Sequence, residues 1–114
     1  MEPTAQTFDT IAPLELARAL PARFYRGESA LALDQRAVIA RSWQLVAHQG
    51  LFAETGDHVV EQVGEVPVLV VRGADGVLRA FPNVCRHRAG PLAFCSGKGA
   101  RALHCKYHGW SYGL

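Results

Sequence analysis

Two short motifs near the end of the sequence carry four residues that bind soft or borderline metals. The first is Cys85-x-His87 and the second is Cys105-x-x-His108, with 17 residues between them. Each motif offers one thiolate and one imidazole. Two such loops at hairpin tips can clamp a cluster, with both Cys on one iron and both His on the other. This is the ligand set of a 2Fe–2S centre in which two His replace two Cys.

Other uses of the same four residues remain open at this point. A structural zinc ion also takes two Cys and two His. Zinc fingers pair like ligands, as Cys-x₂₋₄-Cys and His-x₃₋₅-His, whereas each motif here mixes the two types. A third interpretation is that the four residues are packed without any metal. Neutral His in place of thiolate removes negative charge, so an iron–sulfur centre here would have a potential of roughly −150 to +300 mV.

Length and composition indicate one globular domain. The chain has 114 residues, 49% of them hydrophobic and 19% charged. No apolar run approaches the ~20 residues that span a bilayer, so we expect no membrane contact. The N-terminus lacks the basic and apolar regions of a secretory signal. Three cysteines are an odd number for a disulfide framework, which favours ligation and a cytoplasmic location.

The charges divide the chain into two parts. All ten acidic residues lie at or before Asp75, so the first part sums to −4 and the remainder to +6. Aromatic residues among Arg and Lys can indicate nucleic-acid binding. Here, however, the basic residues lie in the metal-binding motifs rather than along a helix or groove, and we predict no nucleic-acid partner. A basic setting suits docking of an acidic electron donor, or packing against acidic surface of another domain.

Hydrophobic periodicity predicts a mainly β, antiparallel domain with an N-terminal helix. Residues 1–27 form an arm with either a short helix at 14–20 or a single turn. Ser29 is predicted to cap a helix that runs from Ala30 to Arg41. Five strands are predicted in all, at 43–48, 58–63, 66–71, 77–81 and 101–104, with a hairpin turn at 73–76.

The sequences around the four candidate ligands resemble the two cluster-binding loops of Rieske non-haem iron oxygenases. This family contains the α subunits of ring-hydroxylating dioxygenases and the choline-, carnitine- and betaine-type monooxygenases. The loop sequences are Cys85-Arg-His-Arg-Ala-Gly-Pro-Leu92 and Cys105-Lys-Tyr-His-Gly-Trp-Ser-Tyr-Gly-Leu114. The segments at 20–25, 41–48 and 68–83 are also similar, so the resemblance covers residues 20–114.

The resemblance implies a small Rieske-type iron–sulfur domain at residues 28–114 with one 2Fe–2S cluster per chain. Cys85 and Cys105 would hold the buried iron, and His87 and His108 the outer one, where electrons leave. It further implies a ferredoxin or flavin reductase as donor and a mononuclear Fe(II) as acceptor. Neighbouring α subunits of a trimer would be partners. No catalytic residue is expected within this chain, which would serve an oxidoreductase as its electron-transfer domain.

Four positions differ from related proteins. Rieske proteins of respiratory complexes carry an extra Cys in each loop, and those two Cys form a disulfide. The corresponding residues here are Gly90 and Tyr107, which excludes that bond. Lys106 stands where the oxygenases usually have Pro. Cys95 matches no ligand position and is expected to be a partly buried thiol.

The family's catalytic domain, with its 2-His-1-carboxylate iron site, is not expected in this chain. His48, His58 and His104 are isolated and are interpreted as ordinary strand or surface residues. We therefore expect a Rieske domain that is truncated at its C-terminus, after the second loop. The first alternative is a stand-alone Rieske ferredoxin, although such carriers generally lack the N-terminal helix. The second is a zinc-stabilised interaction module.

Overall fold

The structure, a computed structural model, describes residues 12–114; residues 1–11 of the expected arm lie outside it. The described part of the arm contains a turn, in which the Leu16 amide donates to the Pro13 carbonyl at 2.8 Å. The short helix considered at 14–20 is therefore wrong, and the single turn is correct. A one-turn 3₁₀ helix follows at Ala22–Phe24.

The only α-helix among the described residues is α1, which spans Glu28–Ala37. Its N-cap is Gly27, with φ 92°, and not Ser29 as predicted. The helix begins with Glu28, whose charge is favourable at the positive end of the helix dipole. Beyond Ala37 the chain continues as a 3₁₀ turn, Ile39–Arg41, which explains why the predicted helix was too long. No residue of α1 is buried.

The strand predicted at 43–48 is wrong. This segment forms no regular secondary structure and pairs with none of the strands among the described residues. Trp43 and Leu45, which would lie on one side of that strand, are almost completely exposed. The period-two pattern is present in the sequence, but an isolated segment has no partner for its backbone hydrogen bonds and cannot become a strand. A 3₁₀ turn at Gln49–Leu51 then leads towards the sheet.

A three-stranded antiparallel sheet forms the main β layer. Its strands are β1 (His58–Val63), β2 (Val66–Arg72) and β3 (Leu78–Pro82), in the order β1-β2-β3. The β2–β3 hairpin closes through Gly73, whose amide donates to Val77 and whose carbonyl accepts from Gly76. The three strands agree with the prediction to within one residue at each end, and the turn at 73–76 is where it was predicted. Their local signals, runs of β-branched residues between glycine-rich turns, are strong.

A second, two-stranded sheet carries the end of the chain. Strands β4 (Leu103–His104) and β5 (Ser111–Tyr112) are antiparallel, and β4 lies within the strand predicted at 101–104. The segment between the two metal-ligand motifs returns to the first sheet, where Gly97 bridges His58 at the edge of β1. Among residues 12–114, no helix has the length and apolar character needed to cross a membrane.

The hydrophobic core lies between the two sheets and contains two of the candidate ligands. Leu69 of β2 is completely buried at its centre. Cys85 and Cys105 are each only 3% exposed and pack in the same cluster. The thiols are therefore part of the core of the domain. The other buried members are Leu92 and Leu103, with Val60, Phe81, Ala93, Tyr112 and Leu114 packed against them.

Candidate metal centre

The second metal-ligand motif lies in a loop held by the β4–β5 hairpin. We call residues 105–110 loop 2. The Cys105 amide donates to the carbonyl of Trp110, and the Gly109 amide donates to the carbonyl of Cys105, both at 2.9 Å. Gly109 adopts φ 76°, a left-handed conformation that glycine takes without steric cost. The loop thus closes over its own first residue.

The first motif folds in the same way without a strand pair to hold it. We call residues 85–90 loop 1. The Cys85 amide donates to the Gly90 carbonyl at 2.7 Å, and the Ala89 amide donates to the Cys85 carbonyl at 2.9 Å. Ala89 has φ 55° and is the only non-glycine residue with positive φ among the described residues. Residues one and five of the two loops therefore correspond in hydrogen bonding and backbone conformation.

Asn83 closes the base of loop 1. It is 4% exposed, and its side-chain oxygen accepts from the amides of Leu92 at 3.0 Å and Ala93 at 3.1 Å. Its side-chain nitrogen donates to the Ala93 carbonyl at 2.7 Å. These three bonds tie the chain before loop 1 to the chain after it, and they replace the strand pairing that loop 2 has.

The two loops touch where Gly90 meets loop 2. A Cβ atom added to Gly90 would lie 3.2 Å from Cys105 Sγ and 3.4 Å from Tyr107 Cβ. The absence of a side chain at Gly90 therefore permits the close approach of loop 1 to the second thiol. It also places Gly90 beside Tyr107, the two positions that correspond to the disulfide of the respiratory Rieske proteins.

The two thiols form a buried pair with a hydrogen-bonding partner from β5. Tyr112 Oη lies 3.1 Å from Cys85 Sγ and accepts from the Arg86 amide at 3.1 Å. The pKa of the Cys85 thiol is lowered, first by Tyr112 and then by backbone amides of loop 1 and by Cys105, against the opposing effect of burial. The pKa of Tyr112 is raised, mainly by the same hydrogen bond. Either atom of this pair can be the donor. Once Cys85 ligates a metal as a thiolate, only the Tyr112 hydroxyl has a proton to donate.

The two imidazoles form a separate, exposed pair. The ring centroids of His87 and His108 lie 4.7 Å apart, and the rings meet edge to face at 75°. The indole of Trp110 stacks parallel on His87 at 5.0 Å, with 3° between the planes. Tyr107 lies against His108 at 4.0 Å. Each candidate imidazole ligand is thus held by an aromatic ring of loop 2.

The donor set is therefore sorted by type, with thiols together inside and imidazoles together outside. A cluster of two irons needs two ligands on each metal, and this arrangement offers one matched pair to each. A tetrahedral zinc site needs all four ligands around one ion. Among residues 12–114, no three His, Cys, Asp or Glu side chains are grouped closely enough to hold a single ion. The residues present fit a 2Fe–2S group with mixed ligands.

The remaining histidines and the third cysteine do not join this group. His48 Nδ1 accepts from the Gly50 amide, and His58 Nδ1 lies 3.0 Å from the Gly56 carbonyl. His104 Nδ1 lies 2.8 Å from Ser111 Oγ across the β4–β5 pair. Cys95 is exposed and free, so the expectation that it is partly buried is wrong. Cys95 lies in an irregular segment with no strand to cover it.

Two functional residues were missed by sequence reasoning. Neither the bonds of the Asn83 side chain to the backbone after loop 1 nor the contact of Tyr112 with Cys85 was predicted. An Asn two residues before a candidate ligand is a signal, because Asn side chains often bond to nearby backbone. No local signal links Tyr112 to Cys85, since the two are 27 residues apart.

Comparison with known proteins agrees with this geometry. Residues 42–114 match the Rieske [2Fe-2S] domain family. The chain is 40% identical over 95 residues to the carnitine monooxygenase oxygenase subunit of Escherichia coli K12, covering 83% of this chain and 25% of that one. It is 38% identical over 98 residues to the benzene 1,2-dioxygenase α subunit of Pseudomonas putida F1, covering 86% and 22% respectively.

Solved structures give the same result for the fold. The apo form of the quaternary ammonium Rieske monooxygenase CntA superposes with a TM-score of 0.78 at 36% identity, covering 84% of this chain and 28% of that one. This similarity confirms the predicted class of a small, mainly antiparallel β domain. The chain spans about a quarter of the length of these relatives. It belongs to the Rieske [2Fe-2S] domain family, and the relatives that it resembles are oxygenase subunits.

Proposed function

We propose that this chain is the electron-transfer domain of a Rieske oxygenase α subunit and that it holds one 2Fe–2S cluster. Cys85 and Cys105 would ligate the inner iron, and His87 and His108 the outer one. When bound, such a cluster takes up and gives up one electron at a time. The observation that carries the proposal is the sorting of the ligands into a buried thiol pair and an exposed imidazole pair.

Different residues of this chain would bind the cluster, stabilise its negative charge and hold the imidazole rings at the surface. Burial of the two thiols excludes water from the inner side. Tyr112 donates a hydrogen bond to the Cys85 sulfur and stabilises negative charge there. Asn83 fixes loop 1, and Trp110 and Tyr107 hold the imidazole rings. The exposed edges of the two His rings provide the route by which an electron leaves.

The partners follow from the similarity to oxygenase subunits. We propose that a ferredoxin or a flavin reductase supplies the electron. A mononuclear iron in a catalytic domain, of this subunit or of a neighbouring subunit in a trimer, then receives it. The relatives' names refer to carnitine and to aromatic hydrocarbons such as benzene, and we propose a substrate of one of these chemical classes for the whole enzyme. With a reductase system but no other domain, we expect this chain to turn over no substrate.

Metal and sulfide analysis tests the proposal. The purified chain should contain about two iron atoms and two acid-labile sulfides, with the potential range of a mixed-ligand centre, roughly −150 to +300 mV. His87→Ala and Cys85→Ala should each lose the cluster, whereas His104→Ala, a histidine outside the site, should keep it. Zinc without acid-labile sulfide would overturn the iron–sulfur assignment and support a zinc-stabilised module.

A further inference from the structure

Lys106 is the first residue after the second thiol, and an aromatic ring holds its charged group. The Lys106 ammonium nitrogen lies 5.3 Å from the centre of the Phe94 ring. A cation within about 6 Å of a ring centre is attracted by the negative face of the π system. Lys106 is exposed, whereas Cys105 is buried in the core. The contact therefore fixes a positive charge at the surface, one residue away from a buried candidate ligand.

Phe94 lies in the segment that closes the base of loop 1. It follows Ala93, whose carbonyl accepts from the Asn83 side chain at 2.7 Å and whose amide donates to that side chain at 3.1 Å. The backbone beside Phe94 is thus anchored, while 64% of the Phe94 surface is exposed. The contact with Lys106 joins the base of loop 1 to loop 2, in addition to the close approach at Gly90.

No carboxylate among the described residues neutralises Lys106. The sequence contains no Asp or Glu after Asp75. Within residues 12–114, the ion pairs join Arg79 to Asp75 and Lys98 to Asp57. An aromatic ring attracts a cation through its quadrupole and carries no net charge. The ring therefore holds the ammonium group in place without cancelling its field, as a carboxylate would.

We propose that Phe94 and Lys106 form a positioning pair that raises the reduction potential of the cluster. The proposal rests on the proposed function and adds two residues that tune it. One electron taken from the donor adds one negative charge to the cluster. A positive charge fixed nearby stabilises the reduced form more than the oxidised form. A lysine that was free to extend into water would have a smaller effect, because solvent and salt would screen its charge.

Redox titration of the cluster-loaded full chain, followed by visible absorption, tests the pair. Lys106→Met removes the charge and keeps a long, unbranched side chain. At about 0.01 M salt it should lower the equilibrium constant for reduction about two- to fivefold, which is about 20–40 mV at about 59 mV for each tenfold change. At about 1 M salt, where the Debye length is about 3 Å, the difference should fall to about half or less. Lys106→Arg keeps both the charge and the cation–π contact and should retain the wild-type potential.

A double-mutant cycle tests whether the ring holds the charge. Phe94→Leu removes the π face and keeps an apolar side chain, so it should lower the potential of the otherwise wild-type protein. In the Lys106→Met background the same change should have no effect, because no cation remains to be held. Arg36→Met removes one positive charge from the exposed surface of α1 and should leave the potential unchanged. Iron and sulfide content and electron paramagnetic resonance spectra check that the cluster is intact in each variant.

The outcomes distinguish the positioning pair from the proposed function. If the wild-type chain holds no reducible cluster, both ideas fail. If the cluster is present but Lys106→Met leaves its potential unchanged, only the positioning pair is overturned. Equal shifts from Lys106→Met and Arg36→Met would also overturn it, because net charge would then explain the effect.

The cycle gives a further way to refute the pair. A Phe94→Leu effect that is absent, or that is the same with and without Lys106, would show that the ring does not act through the cation. Lys106→Gln is a second neutral variant, which replaces Lys106→Met in the titration and in the cycle if the methionine variant loses its cluster.

Discussion

Replacing Tyr112 by Phe removes the hydroxyl that donates to the Cys85 sulfur and keeps the ring in the core. Tyr112 Oη and Cys85 Sγ are 3.1 Å apart, and when Cys85 ligates iron as a thiolate the phenol is the only possible donor of the pair. Reduction adds negative charge to the cluster and its sulfur ligands. The hydrogen bond is therefore stronger in the reduced state, and its loss should lower the reduction potential.

The magnitude follows from the free energy of one hydrogen bond to a charged group. Such a bond contributes about 1.5–3 kcal/mol, and only the difference between the two redox states affects the potential. If about a third to a half of that energy is the difference, the change is about 0.5–1.5 kcal/mol. For a one-electron couple a tenfold change in the equilibrium constant is about 59 mV, so the potential should fall by about 20–65 mV.

Redox titration followed by visible absorption measures this shift. The matched control is Tyr107→Phe, which removes an exposed hydroxyl and keeps a ring that contacts His108 rather than a thiol. Iron and sulfide content must equal those of the wild type in both variants. If Tyr112→Phe keeps an intact cluster and its potential matches that of Tyr107→Phe, the phenol does not donate to the ligand sulfur, and the reasoning is refuted.

Three further predictions concern the ligands, a buried carboxylate and a tight turn. Replacing either His87 or His108 by Cys adds thiolate charge and should lower the potential; an unchanged potential in an intact mutant cluster would refute the ligand assignment. Asp57 is buried and has its pKa lowered from 3.8 to about 2, chiefly by a backbone amide and a lysine. The stabilising effect of the ionised Asp57 carboxylate is complete above about pH 4 and is lost as the pH falls towards 2. The difference in urea midpoint between the wild type and Asp57→Asn should therefore narrow over that range. A difference that stays constant would contradict this prediction. Gly56→Ala should prevent folding or lower the free energy of unfolding by at least about 3 kcal/mol. Gly56 has a positive φ, and an added Cβ would overlap the backbone oxygen of Ala100. Circular dichroism of the control Gly113→Ala should show little change.

The parts of the fold that could be predicted are those with local signals. Strand β1 has the predicted bounds because a glycine-containing turn limits it at each end, and the β2–β3 turn was visible in its glycines. The segment at 43–48 has a regular period-two pattern but no neighbouring strand among the described residues. The pattern alone therefore predicted a strand that does not form. The cap of α1 was misplaced by two residues because Gly27 precedes the helix without any side-chain signal.

The metal centre was likewise predictable only where the signal lies in neighbouring residues of the sequence. Residue types and spacing were enough to nominate the four candidate ligands, because each motif is contiguous. The sorting of thiols inward and imidazoles outward depends on how the two loops face each other, so it was expected from the family resemblance and not from the spacing. Asn83 and Tyr112 act on loop 1 across 10 and 27 residues, respectively, so their roles appear only in three dimensions.

The sixth residue of each loop completes the other loop, which makes the pair a single unit. Gly90 ends loop 1, and its missing side chain admits Cys105 Sγ and Tyr107 Cβ of loop 2. Trp110 ends loop 2, and its indole stacks on His87 of loop 1. The two loops have the same pattern of backbone hydrogen bonds. The glycine in one and the tryptophan in the other therefore differ in what they contribute to the site and not in the backbone fold of the loop. One residue makes room at the buried thiols while the other supports the exposed imidazole, and neither loop alone can provide both conditions.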